Sequence, residues 1–273
     1  MLPLQDAQVA PEVRPRLMLA TADLATQAGW LSFVGNDHDA ARRLWMIALD
    51  LARTADHPLG ADLTVYLLAD MVLQAVKLHR PDEALHLARV GHSAAVGPHP
   101  VSASTTSLLA NIQARAYALQ GDTAGCDQAL GQGIEQFNTI DPATAPPWTA
   151  YISEAGVFGH QGSAHYTLAL PGHDRRAASQ AVPLLQHAVD RYGPSYAALR
   201  ALYLPDLAGA HAIAGDADTA VTVGHQAIDA VAAVSSSQHA HERLRTLHTV
   251  LEPLHGSPGV NDLRDRLIAT AAA

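Results

Sequence analysis

Histidine supplies 16 of the 273 residues, so metal binding is the first chemistry to test. A zinc site needs three or four ligands that one local geometry can gather. HExxH is absent, and no histidine pair is joined by a carboxylate at ligand spacing. His239 and His241 alternate, His241 and His248 share a helical face, and His160 and His165 fall on different faces. No metal site is expected. Cys126 would be a nucleophile only with a base beside it and a lowered pKa. It occupies a position where related segments carry a small residue, which points to packing. No GxGxxG follows a strand pattern and no GxxxxGK[ST] is present, so no nucleotide cofactor, and no other cofactor, is expected. One segment does gather acid–base groups: Tyr151, Glu154, His160 and His165. Glu154 and His160 are six residues apart, off one helical face, so another helix has to complete any such site. No catalytic residue is assigned.

The elements that position these residues are helical. The stretch Gly29–Ala52 (GWLSFVGNDHDAARRLWMIALDLA) reads as helix, turn, helix. Gly29 is small enough for a neighbouring helix to press close. Gly35–Asn36–Asp37 break the first helix with turn and cap residues. Ala41, Leu44, Ala48 and Leu51 line one side of the second at helical spacing. Such a hairpin needs copies stacked beside it to bury both faces, and copies follow. The small residue opening each second helix recurs as Ala41, Ala84, Cys126, Ala178 and Ala220, at steps of 43, 42, 52 and 42. Three near-equal steps and one long one predict a tandem array with one insertion, its turn at Pro171–Asp174.

Composition agrees. The chain is 48% apolar but only 5% aromatic, and alanine-rich faces favour helix and close helix contacts. Period-two strand patterns are absent. A formal charge of −9 and the lack of clustered Lys and Arg argue against direct nucleic-acid binding. No apolar run approaches a membrane span, one Cys fits a reducing compartment, and a cytoplasmic location is expected.

In order, residues 1–15 are an extended lead-in and 16–273 one helical-repeat domain. Helices are expected over Arg16–Val34, Asp39–Thr54, Ala61–Leu78, a segment from Pro81, Ser102–Gln120 and Ala124–Phe137. The breaker cluster DPATAPP suggests a hinge over 139–147. Trp148–Leu170 follows as one helix with Tyr151, Glu154 and Phe158 on a face, then Arg176–Tyr192, Ser195–Ala214 (with Pro205 inside) and Asp216–Val234. Gln238–His255 and Val260–Ala273 form a charged terminal pair that caps the array. The fold class is therefore all-α: an α-solenoid of about five tetratricopeptide-like hairpins plus that pair.

Counting the repeat frame back from the small residues places Trp30, Phe33, Tyr66, Asn111 and Arg115 on first helices, facing a concave groove. Tyr66, Asp70 and Gln74 form a polar stripe on an apolar helix, and Tyr151 and Glu154 lie on the first helix of the fourth repeat. The candidate binding residues are Trp30, Phe33, Tyr66, Asp70, Asn111, Arg115, Tyr151 and Glu154. Such a groove suits an extended or helical peptide, or a mostly apolar small molecule with two polar handles. Burial of Trp30 and Phe33 between repeats, and an Arg115–Glu154 salt bridge, are the packing alternatives.

The stretch from Gly29 to Gly91, with PPWTAYISEAGVFGHQG and LRALYLPDLAGAHAIAGDADTA, resembles the tetratricopeptide-like C-terminal region of actinobacterial helix-turn-helix (XRE-type) transcriptional regulators. The resemblance runs from about Leu17 to Leu267. It implies a right-handed superhelix that senses a protein or peptide partner or a small effector. The short lead-in is too small for a helix-turn-helix, so the DNA-binding role is not carried over. The expected function is a regulatory binding module; an enzyme or biosynthetic accessory protein on the same scaffold is the alternative, and homodimer formation is left open.

Overall fold

A computed structural model describes residues 10–193, 196–234 and 238–271. Twelve α-helices follow one another among these residues, with no strand. They are α1 Arg14–Val34, α2 His38–Thr54, α3 Gly60–Lys77, α4 Pro81–Ala95, α5 Ala103–Gln120 and α6 Thr123–Phe137. Then come α7 Glu154–Ala169, α8 Arg175–Arg191, α9 Ala197–Ala214, α10 Ala217–Ala233, α11 Gln238–Val250 and α12 Pro258–Ala271. Each odd helix packs on the even helix that follows it, giving five hairpins and a terminal pair in which α11 leans on α9 and α12 on α10. The fold is an all-α solenoid of helical hairpins, as the repeat spacing predicts. Residues 1–9, the Ser195 start of one expected helix and the last two residues of another lie outside the described residues.

The recurring turn has a local cause. An aspartate caps four of the even helices: Asp37, Asp122, Asp174 and Asp216 each accept a backbone N–H from the first turn of α2, α6, α8 and α10. The residue that opens each second helix is then carried inward. Ala41, Ala84, Cys126, Ala178 and Ala220 are all fully buried. The Cys126 thiol, pushed up to about 12 by burial, is a packing group there. The close approach expected at Gly29 is made by the fully buried Trp45: a β-carbon on Gly29 would sit 2.5 Å from the Trp45 indole nitrogen.

The core lies in two clusters, one spanning α1–α5 and one α7–α12, with a small third cluster between them around Ala114, Cys126 and Ala164. Even helices are amphipathic, whereas α3, α5, α7 and α9 are buried on most sides because outer helices and neighbouring odd helices enclose them.

Two expectations are corrected. The extra length of the long repeat lies ahead of α7, in residues 138–153, and not at Pro171–Asp174, which is a short 3₁₀ turn. The expected helix from Trp148 is not formed over its first residues. Pro146 and Pro147 set a 3₁₀ turn over Pro147–Thr149, and Ser153 then caps α7 by accepting from the Gly156 N–H. Tyr151 is therefore a connector residue. Pro205, by contrast, stays inside a continuous α9.

Candidate functional site

The concave side of the array is not an open trough. It narrows into a partly open chamber of about 140 Å³. Its walls come from the odd helices and two connectors, and no even helix contributes. From α1 come Trp30, Phe33 and Val34; from α3, Asp70, Leu73 and Lys77; from α5, Ser107, Leu108, Asn111, Ile112 and Arg115. Tyr151 and Ile152 stand ahead of α7, which adds Gly156, Val157 and His160. Tyr192, Leu199, Leu202 and Tyr203 follow, and α11 supplies His239 and Arg243. The second hairpin and the terminal pair meet across it: Lys77 of α3 lies 3.6 Å from Glu242 of α11, and its ammonium sits 5.2 Å from the Phe33 ring centroid on α1.

Each odd helix presents a stripe at helical spacing, because residues three, four and seven apart share a face. On α3 that stripe is Asp70, Leu73 and Lys77. Gln74 turns away, accepting from Arg42 and donating to the His38 carbonyl. Tyr203 is seated by a missing side chain. A β-carbon on Gly159 would fall into its ring, 2.7 Å from Cε2 and 2.8 Å from Cε1. The ring also stacks on Tyr192, with centroids 5.9 Å apart and planes at 6°. Gly159→Ala must push Tyr203 aside, so it is expected to cost about 1–3 kcal/mol, as overpacking does. A urea melt with an unchanged midpoint and slope would show that Tyr203 is not held there.

The chamber combines apolar walls with unsatisfied polar atoms. Among the described residues, eleven buried side-chain polar atoms lack a hydrogen bond, and five of them belong to lining residues: Asp70 Oδ2, Asn111 Oδ1, Arg115 Nε, His160 Nδ1 and His239 Nδ1. Orphaned buried groups are scarce in folded proteins, so their gathering here marks the chamber as more than leftover space. Three cations face it. Arg243 pairs with Asp206 and also donates to the Leu202 carbonyl at 2.9 Å; Lys77 is answered by Glu242; among the described residues Arg115 has no carboxylate within 4 Å.

Burial shifts the protonation of the lining. Asp70, 2% exposed, is pushed up to about 8 by desolvation. Burial first, then Arg115 and Arg243, lower His160 to about 3; burial, Arg243, Lys77, Arg115 and His38 lower His239 to about 2. Burial and the Arg243 charge bring Arg115 down to about 10, so it remains cationic at neutrality. The chamber near pH 7 holds one unpaired cation, two neutral imidazoles and a mostly protonated Asp70.

Six of the eight candidate residues therefore line one cavity: Trp30, Phe33, Asp70, Asn111, Arg115 and Tyr151. Asn111 is also wedged against α6, where a β-carbon on Gly133 would meet it at 2.5 Å, and it donates to the Ser107 carbonyl. Tyr66 stands behind the wall, its hydroxyl 3.2 Å from that of Tyr151 at the mouth. Glu154 is elsewhere. It points to α8, 3.6 Å from His187, whose ring lies against Phe158, so the alternative Arg115–Glu154 bridge is not made. His165 does not line the chamber either and feels Asp127 of α6, so the proposed acid–base group of Tyr151, Glu154, His160 and His165 is split between separate places. Sequence reasoning missed Lys77, His160 as a chamber residue, Tyr203, His239 and Arg243. The four-residue spacing of His239 and Arg243 was the available signal, hidden by reading α11 as an outer cap.

No described helix is long and apolar enough to cross a membrane. No protein-family model and no curated protein matches the chain. Several solved structures are similar to it, two of which illustrate the likeness. The crystal structure of BtubC (BKLC) from P. vanneervenii is 14% identical, covers 83% of this chain and 93% of its own, and superposes with a TM-score of 0.50. A putative kinesin light chain with nearly identical TPR-like repeats, from Podosopora anserina, is 17% identical, covers 80% and 97%, and gives a TM-score of 0.48. At such identities the likeness is one of fold.

Proposed function

We propose that the chain is a small-molecule-binding helical-repeat module whose ligand is enclosed by the odd helices, and that its role is regulatory. The observation that carries this is the convergence of five unsatisfied buried polar atoms on one largely apolar chamber. Its volume of about 140 Å³ is close to that of engineered apolar cavities that take up benzene. A helical or extended peptide does not fit such a space, so of the occupants a repeat groove suits, a compact molecule is favoured.

The regulatory element of the proposal follows from where the walls come from. A ligand touching Trp30 on α1 and Arg243 on α11 bridges the two ends of the array. Occupancy then favours the closed arrangement over any more open one by the ligand's differential affinity, and the outer helices, free of the chamber, carry that change to a partner protein.

The test is a thermal-shift and calorimetric screen of ring-sized fragments against the wild type and Leu199→Trp, which fills the chamber from α9. Binding by the wild type that is lost in a variant with unchanged circular dichroism supports the reading. A wild type that binds no ring-sized fragment, or fragments that bind both proteins equally, would overturn it.

A further inference from the structure

Resting on that reading of the chamber, we infer that its ligand is a compact ring-bearing monocarboxylate whose carboxylate is held by Arg115. The guanidinium is the unanswered charge of the site. Of the three cations in the lining, Arg243 has Asp206 and Lys77 has Glu242, while among the described residues Arg115 has no carboxylate partner and its Nε makes no hydrogen bond. A half-buried cation whose Nε is shut off from water gains from a partner. A planar carboxylate supplies what it lacks, because the guanidinium fork matches it with two parallel hydrogen bonds.

The neighbours make the preference one for a single negative charge. Arg115 interacts electrostatically with Arg243, His160, His239, Tyr203 and Asp206, and the acid among them, Asp206, is already paired with Arg243. His160 keeps an unpartnered nitrogen available to a second oxygen or a bridging water, whereas His239 Nδ1 faces Glu242 at 3.7 Å. Arg243 and Lys77 are already neutralised, so a second carboxylate would go unmatched. The rest of the wall fixes the body of the ligand: Trp30, Phe33, Leu108, Val157, Leu202 and Tyr203 offer flat aromatic and branched aliphatic surface. Asp70 lies outside the set of charges that act on Arg115, with an unpartnered oxygen and the Tyr151 hydroxyl on its side. A hydroxyl at the far end of the ring meets both.

The experiment titrates the whole chain with four probes of one size: benzoate, 4-hydroxybenzoate, benzamide and benzylamine. Benzoate is expected to bind at least tenfold more tightly than benzamide, 4-hydroxybenzoate at least as tightly as benzoate, and benzylamine not measurably. Arg115→Gln is expected to erase the benzoate preference while benzamide binding persists, which shows that the chamber is intact. Equal affinity for benzamide and benzoate, tightest binding of benzylamine, or an unaltered preference in Arg115→Gln would overturn the ligand class. If neutral ring-sized fragments bind but none of these anions does, the ligand class fails and the chamber reading stands. If nothing of ring size binds, the chamber reading itself fails.

Discussion

Asp70→Asn is expected to make the protein more stable than the wild type at alkaline pH, with a much smaller gap at pH 5. Asp70 lies on the inner face of α3, 2% exposed, with one carboxyl oxygen lacking any hydrogen bond and no cation acting on it. Desolvation alone pushes it up to about 8, from an unfolded value of 3.8. The raised pKa means that the folded state holds a proton that the unfolded chain has released. Stability therefore falls as pH rises from about 4 to about 8, then levels off. A carboxyl that shifts this far sets an upper bound of about 6 kcal/mol on the loss; solvent reaching the chamber reduces it. The amide removes the titration and keeps the shape. His160 and His239 work in the opposite sense: their folded values are depressed, so the stability they contribute is present above the unfolded 6.5 and is lost as pH falls. These contributions are common to both proteins and cancel in the difference. Urea unfolding of wild type and variant at pH 5, 7 and 9 should give a gap that opens with pH in the variant's favour. A gap that is the same at all three values would mean that Asp70 is ionised and partnered.

Why the array was legible and the chamber only partly so comes down to which forces are local. The even-helix starts are set within six or seven residues by a turn, an aspartate cap (Pro81 at the first position in α4) and a small buried residue, so Ala41, Ala84, Cys126, Ala178 and Ala220 can be found by eye. Helix ends follow from the same signals and fall within a few residues, except where prolines intervene ahead of α7. The inner face is harder. Trp30, Phe33 and Arg115 come from counting back along hairpins of one length, and the count fails once residues 138–153 add extra chain. Glu154 was misplaced for that reason. His239 and Arg243 were missed for another: nothing local says that the array curves far enough for α11 to approach α3. That curvature is a sum of small rotations between successive hairpins, and alanine spacing does not report it. An open groove and a narrowed chamber are written with the same hairpin pattern.

Asp62→Ala is expected to destabilise the fold more than any other single change considered, by about 4–6 kcal/mol. Asp62 opens α3 and is 1% exposed. It accepts three hydrogen bonds from two distant parts of the chain: the Ser102 N–H at 2.6 Å and the Thr105 hydroxyl at 2.7 Å at the start of α5, and the Trp148 indole N–H at 2.9 Å. Removing the carboxylate leaves three donors with no acceptor, two of them on buried side chains. Each lost hydrogen bond to a charged group is worth about 1.5–3 kcal/mol, and they are not fully additive. Asp62→Asn separates the contributions. It keeps one oxygen for Thr105 and Trp148 and loses the acceptor for Ser102, so it should cost about a third as much. The consequence for the chamber is specific. Trp148 anchors residues 146–153 to α3, and Tyr151, three residues on, reaches Tyr66 from that anchored turn. In Asp62→Ala, backbone amides of 149–152 should exchange hydrogen much faster than those of α9, which shares no bond with Asp62. Uniform acceleration across both would mean that Asp62 acts only through global stability. Faster exchange confined to the connector would place the mouth of the chamber under the control of a carboxylate that never touches it.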